Sequence, residues 1–252
     1  MIPKVIHYCW FGRKPLPRMA LKCISSWRKF FPDYEIKEWN EDNFDVNVIP
    51  YTKEAYEAKR FAFVSDYARF WILYMHGGVY FDTDVEVIRP MDDIIRRGSF
   101  MGCETFVRED IPLYVAPGLG LACEAGNSLY KDILQFYSHL HFKTAEGENL
   151  KTVVQYVSEH LLSLGLKKIK GIQHIEKGNI YIYPKEYFNP YDVEHDKMII
   201  TKNTRTIHYF AASWKTKKEL FMEWVEKNLG GHIVLFIHKT KLVIDKIMHR
   251  CH

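Results

Sequence analysis

Apolar residues recur along this chain in two periods, and the alternation between them predicts its architecture. Lys4 to Trp10 is β-branched and aromatic enough for a strand, and Phe11-Gly12 turns the chain after it. Pro15 and Pro17 open a helix that runs through Phe31. Tyr34 to Trp39 reads as a second strand. Lys53 to His76 is the longest helical stretch, with Val64, Ala68, Trp71 and Met75 at helical spacing and Gly77 at the expected stop. Val79 to Phe81 and Val85 to Ile88 are strand-like and flank Asp82-Thr83-Asp84. Strand, helix, strand, helix, strand in this order predicts an α/β domain with a mostly parallel sheet.

Beyond Pro90 the pattern weakens. Phe100 to Glu104 and Gly118 to Cys123 are short enough for strands, Ser128 to Leu140 and Leu150 to Leu164 suit helices, and Asn179 to Tyr183 and Thr204 to Phe210 are again strand-like. Near the end, Ile233 to Ile237 and Leu242 to Met248 interleave aliphatic residues with Lys239, Lys241, Lys246 and Arg250. This reads as one or two amphipathic basic helices, which suit either packing on the domain or peripheral docking on an anionic membrane surface. The expected division is a catalytic domain over 1–229 and a basic segment over 230–252.

Composition narrows the class. With 252 residues, 47% hydrophobic and 26% charged, the chain can bury one sizeable core. A net charge of +4 does not indicate nucleic acid as a partner. Five scattered cysteines without paired spacing favour neither a zinc site nor a disulfide framework. With no signal-peptide pattern and no run of membrane-spanning length, a reducing, cytoplasmic location is expected.

The chemistry concentrates at a few positions. Asp82 and Asp84 follow an apolar strand, and two carboxylates two positions apart on an extended chain share one side. They repel unless a divalent cation such as Mn²⁺ or Mg²⁺ joins them. In open α/β sheets ligands bind at the carboxyl ends of strands, where both Trp10 and the Asp pair are expected. Asp66 and Arg69 lie on one helix face. Asp66 suits sugar or ribose hydroxyls and Arg69 a phosphate, although a surface ion pair accounts for the same spacing. Trp10 offers an indole face to a planar base or to the core. The run His208 to Trp214 offers His208 as a further metal ligand, and Ser213 and Trp214 as donors to a leaving pyrophosphate.

Together and in this order these segments resemble the DXD-containing sugar transferases, the family of bacterial capsular polysaccharide transferases, yeast Golgi mannosyltransferases and large clostridial glucosylating toxins. The resemblance is carried by Ile2 to His7 with Trp10 to Gly12, Phe31 to Tyr34 before Trp39, Ser65-Asp66 with Arg69, and Gly77 to Asp84. It resumes at Ile207-His208 and Ser213-Trp214. It implies a GT-A fold, a nucleotide-sugar donor, Mn²⁺ or Mg²⁺ on the diphosphate, and transfer with retention. By position it implies that Trp10 stacks on the base and that Asp66 and Arg69 bind ribose and donor sugar. Tyr80 and Asp82 would lie on the donor side, Asp82 reaching ribose or, through water, the metal, and Asp84 would ligate the metal directly. Ser213 and Trp214 would close over the diphosphate. At His208 the toxins carry a different residue type.

The expected reaction is hexose transfer, with UDP-galactose or UDP-glucose favoured, to a saccharide or lipid-linked saccharide acceptor in surface or capsular polysaccharide synthesis. Acceptor selection would fall in 97–177. GDP-mannose-dependent mannosyl transfer is the alternative, followed by a nucleotidyltransferase, which wants further carboxylates and a basic triphosphate grip. A lectin-like Ca²⁺ module has no use for a base-stacking Trp10.

Overall fold

The computed structural model describes residues 1–211 apart from 109, 193 and 194. Ser213, Trp214 and the basic segment 230–252 lie outside the described residues. Its centre is a seven-stranded sheet in the order β2 (Glu35–Trp39), β1 (Val5–Cys9), β3 (Gly78–Tyr80), β6 (Leu121–Cys123), β5 (Ser99–Gly102), then Ile180–Tyr183 and Gln173–Ile175. β2, β1 and β3 pair in parallel, as do β5 and Ile180–Tyr183. β6 runs antiparallel to both its neighbours, and Gln173–Ile175 runs antiparallel to its own. Five of the seven strands therefore point one way.

The centre of the sheet, β3, β6 and β5, is buried on both faces, which is why these strands are mostly apolar, whereas the edge strand β2 is largely polar and partly exposed. Alternate residues serve opposite sides. Ile6 and Tyr8 of β1, Val79 of β3, Ala122 of β6 and Phe100 of β5 join one cluster with Cys23, Ile24 and Trp27 of α1 (Arg18–Phe30). Cys9, Tyr80, Leu121, Cys123 and Met101 join the other. There they pack with α2 (Pro50–Glu57), α3 (Phe61–His76), α5 (Ser128–Tyr137) and α6 (Val153–Ser163). α4 (Asp92–Arg97) buries Ile94 on the α1 side.

Lys53 to His76 is not one helix. α2 ends at Ala58, Lys59 takes a left-handed φ of 59°, and the Arg60 N–H donates to the Ala55 carbonyl at 2.8 Å. Such a left-handed closure normally uses glycine or asparagine, so a lysine gives no warning of it. The apolar stripe also turns away from the core at its far end: Val64 and Ala68 are fully buried, whereas Met75 is 52% exposed. Gly77 ends α3 at φ 64° as expected. At Gly78, with φ 102°, a Cβ would come within 2.7 Å of the Val5 carbonyl oxygen, so the β1–β3 contact requires glycine.

A short strand, Thr206–His208, pairs antiparallel with β4 (Val85–Val87), matching His208 to Val85. This pairing brings the late chain to the carboxyl edge of the main sheet. Among the described residues no helix is long and apolar enough to cross a membrane.

Candidate active site

Asp82 and Asp84 leave β3 in a turn rather than in extended chain. The Val85 N–H donates to the Asp82 carbonyl at 3.0 Å, so a tight turn, not strand alternation, brings the two carboxylates together. The Asp82 N–H is itself held by the Gly118 carbonyl at 3.1 Å. That loop lies so close that a Cβ on Gly118 would fall 2.0 Å from Asp82 Oδ2.

Behind Asp82 stands a buried ionic hub. Arg69 Nη2 donates to Asp66 Oδ1 at 2.9 Å and lies 3.3 Å from Asp82 Oδ1, and Arg69 Nε donates to the Ser65 carbonyl at 3.1 Å. The guanidinium also lies 5.1 Å from the centre of the Tyr80 ring, whose hydroxyl donates to Asp82 Oδ1 at 3.1 Å. Asp66 and Arg69 are thus an interior pair and not a surface one, and Arg69 carries a second carboxylate that the helical spacing did not reveal. Burial drives the Asp66 carboxyl up to about 7 despite the guanidinium beside it. Burial opposes the charge on Arg69 as well, but Asp82 and Asp66 outweigh it and hold the guanidinium above its ordinary value.

On the open side, Asp84 Oδ1 lies 3.1 Å from His208 Nε2, and Asp84 Oδ2 accepts from the Ala211 N–H at 2.8 Å. Burial works against the Asp84 charge, yet these contacts keep its carboxyl below the usual range. Burial likewise opposes the His208 charge, and Asp84 raises the imidazole above its ordinary value nonetheless. His208 Nδ1 is buried without a hydrogen-bond partner among the described residues.

One ligand atom from each of Asp82, Asp84 and His208 lies within 4.8 Å of the others. Two carboxylate oxygens and one imidazole nitrogen suit a divalent cation that accepts both atom types, and the closeness of the charges asks for one. The residues present therefore fit a divalent cation. Trp10 sits at the carboxyl end of β1, partly buried, with its indole N–H donating to the Lys14 carbonyl at 2.6 Å. Tyr80, 1% exposed, reaches the site only through its hydroxyl on Asp82.

Sequence reasoning missed Gly118 and Glu104. Glu104 follows β5 and acts electrostatically on His208, and burial holds its carboxyl above the ordinary range. No motif surrounds either residue to mark it.

Comparison with known proteins finds similarity over the part of the chain that carries this geometry. Residues 17–101 match the model of the glycosyltransferase sugar-binding region containing the DXD motif. Inositol phosphoceramide mannosyltransferase 1 of Schizosaccharomyces pombe is 28% identical over 111 residues, which are 40% of this chain and 33% of that protein. An uncharacterized glycosyltransferase of Acanthamoeba polyphaga mimivirus is 32% identical over 106 residues, 40% of this chain and 42% of it. The chain thus spans well under half the length of these relatives. A solved glycosyltransferase involved in glycosylation of the major capsid of PBCV-1 superposes with a TM-score of 0.50 at 11% identity, covering 83% of this chain and 95% of that one. The chain has a GT-A-type fold, and its residues 17–101 are similar to the DXD-containing glycosyltransferase sugar-binding region.

Proposed function

We propose that the protein is a metal-dependent, retaining glycosyltransferase that moves a hexose from a nucleotide sugar to a saccharide acceptor in surface polysaccharide synthesis. The observation that carries this reading is the convergence of Asp82, Asp84 and His208 at the carboxyl edge of the sheet. Asp84 and His208 would hold the cation, with Asp82 as the third ligand or as a partner for ribose. Bound Mn²⁺ or Mg²⁺ would supply electrostatic stabilisation of a nucleoside diphosphate leaving group.

The chain's own residues set the remaining conditions. Arg69, on both oxygens, and Tyr80, on Oδ1, fix the Asp82 carboxylate from behind, so it is oriented before any ligand arrives. Trp10 lies at the end of the neighbouring parallel strand, where an indole face would meet a base. Both Asp82 and Asp84 are committed to binding, which favours front-face attack by the acceptor hydroxyl over a two-carboxylate displacement.

UDP-galactose and UDP-glucose are the donors of first choice. GDP-mannose is the second reading, and similarity to the S. pombe inositol phosphoceramide mannosyltransferase favours it. The test is nucleoside diphosphate release from a panel of UDP- and GDP-sugars with Mn²⁺. Asp84→Asn should remove release and Mn²⁺-dependent donor binding while the unfolding midpoint stays within about 1 kcal/mol of wild type. Full turnover in excess EDTA would sink the reading.

A further inference from the structure

A cavity of about 620 Å³ opens at the same edge of the sheet as the Asp82 group. Cys103 and Pro184, which follow β5 and strand Ile180–Tyr183, both line it. Its size falls within the range of roughly 300–1,000 Å³ that small-molecule sites occupy. Its exposed wall is mainly apolar, with Val107, Leu113 and Ile172 on it, although Thr105, Gln173 and Thr201 line it too. Ile169 and Ile199, also on its lining, are 51% and 45% exposed, and Ile199 lies between Met198 and Ile200, exposed to a similar degree. Aliphatic surface gathered at one opening is a mark of a binding site.

One buried cation stands in this wall. Lys185 is 6% exposed, its ammonium lies 5.2 Å from the centre of the Phe106 ring, and it makes no hydrogen bond or ion pair among the described residues. Burial brings it down to about 8, against the attraction of Glu104 and Asp192. Glu186, the carboxylate on the lining among the described residues, is taken up by the Thr201 hydroxyl and the Asn203 amide. A buried ammonium without a hydrogen-bonded counter-charge is unfavourable, so a partner from outside the chain would relieve it.

We propose that this cavity binds an amphiphile, with its hydrocarbon chain along Val107, Leu113 and Ile172 and its anionic group, phosphate or carboxylate, on the Lys185 ammonium. Along Val107, Leu113 and Ile172 a sugar ring's hydroxyls would find no side-chain hydrogen-bond partner, which argues for a hydrocarbon on that part of the wall. The chain's own end, 230–252, is aliphatic too, but Lys239, Lys241, Lys246 and Arg250 would bring like charge toward Lys185. Because the cavity opens at the same carboxyl edge as the Asp82 group, a saccharide carried on the amphiphile would be the acceptor presented to the cation site. That assignment as acceptor rests on the transferase reading; binding of the amphiphile does not.

Calorimetric titration of the full chain, without metal or donor, tests it with dodecyl phosphate, dodecanoate, dodecanol and inorganic phosphate, each below its micellar concentration. One or both anionic chains should bind one-to-one at least about tenfold tighter than dodecanol, the contribution of one charge-assisted hydrogen bond. Whichever anion binds tighter identifies the head group, and inorganic phosphate alone should give no measurable heat. Lys185→Met should bring both anions to the dodecanol level, Lys185→Arg should keep the preference, and Ile172→Glu should weaken all three chains. Equal binding of dodecanol to wild type, a preference that survives Lys185→Met, or no saturable binding of any chain would overturn the proposal. None of these outcomes bears on nucleotide-sugar turnover, so the two readings fail separately.

Discussion

Arg69 and Lys185 are both cations almost without access to water, at 4% and 6% exposure, yet their surroundings are opposite. Arg69 meets two carboxylates, a backbone carbonyl and an aromatic face, and its charge is held more firmly than in water. Lys185 meets one ring and no hydrogen-bonded carboxylate among the described residues, and burial holds its charge less firmly. A cation whose donors are all answered by its own chain fixes geometry, here that of Asp82. A cation left unanswered marks a place where a ligand is missing. The difference separates scaffold from site without reference to any motif.

The strongest way to break the comparison is to remove the paired cation. Arg69→Met strands Asp66 and Asp82 without a counter-charge, and the expected loss is about 3–5 kcal/mol in urea unfolding. A loss under about 1 kcal/mol would mean that the hub does not hold the fold.

A buried group that is satisfied while neutral provides a control. Trp39 Nε1 donates to His7 Nδ1 at 3.0 Å, and His7 Nε2 lies 3.0 Å from the Gly77 carbonyl, so the neutral ring is fully used. Burial, above all, lowers its pKa from 6.5 to about 4. The unfolded chain therefore takes up a proton before the folded one does. Its stabilising contribution is complete above pH 6.5 and is lost as pH falls toward 4, by about 2–3 kcal/mol at pH 4.5. Unfolding midpoints between pH 7 and 4.5 measure this, and His7→Leu should flatten the limb. An unchanged slope in that variant would assign the acid sensitivity elsewhere.

Gly118→Ala disturbs the paired side more gently. The added methyl must displace Asp82 Oδ2 from the Arg69 fork, at a cost of roughly 1–3 kcal/mol and with weaker metal-dependent donor binding. Donor affinity equal to wild type would show that the loop yields instead of the carboxylate.

The smallest expected effect falls on the other cation. Lys185→Met should leave stability within about 1 kcal/mol of wild type, because it removes a charge that no hydrogen bond rewards. A large loss would class Lys185 with Arg69.

The sequence was most legible where burial is two-sided and pairing local. The apolar runs of β1 and β3, the alternating β2 and the helix between Arg18 and Phe30 follow from propensity and period alone. The break at Lys59 left no trace because a left-handed lysine is chosen by packing. The reversed direction of β6 is equally invisible, since Leu121, Ala122 and Cys123 suit either sense. At the site, the Asp82–Asp84 pair stood out because two acids after an apolar strand are improbable without a use. The mechanism of their approach was misread, since a turn supplies what alternation was expected to supply. Lys185 in Pro184-Lys185-Glu186-Tyr187 looks like any surface lysine, and only the fold around it shows that it is interior.

The antiparallel pairing of Thr206–His208 with β4 has a consequence for the order of events during synthesis. The Ala211 N–H that holds Asp84 lies 127 positions downstream of it, and His208 arrives on the same late strand. At about 5–20 residues per second, a ribosome needs roughly 6–25 s to extend the chain that far. Until then Asp84 lacks both of its partners, whereas Asp82 already has Arg69 and Tyr80. On the transferase reading, capture of a cation would therefore report that the last strand has docked.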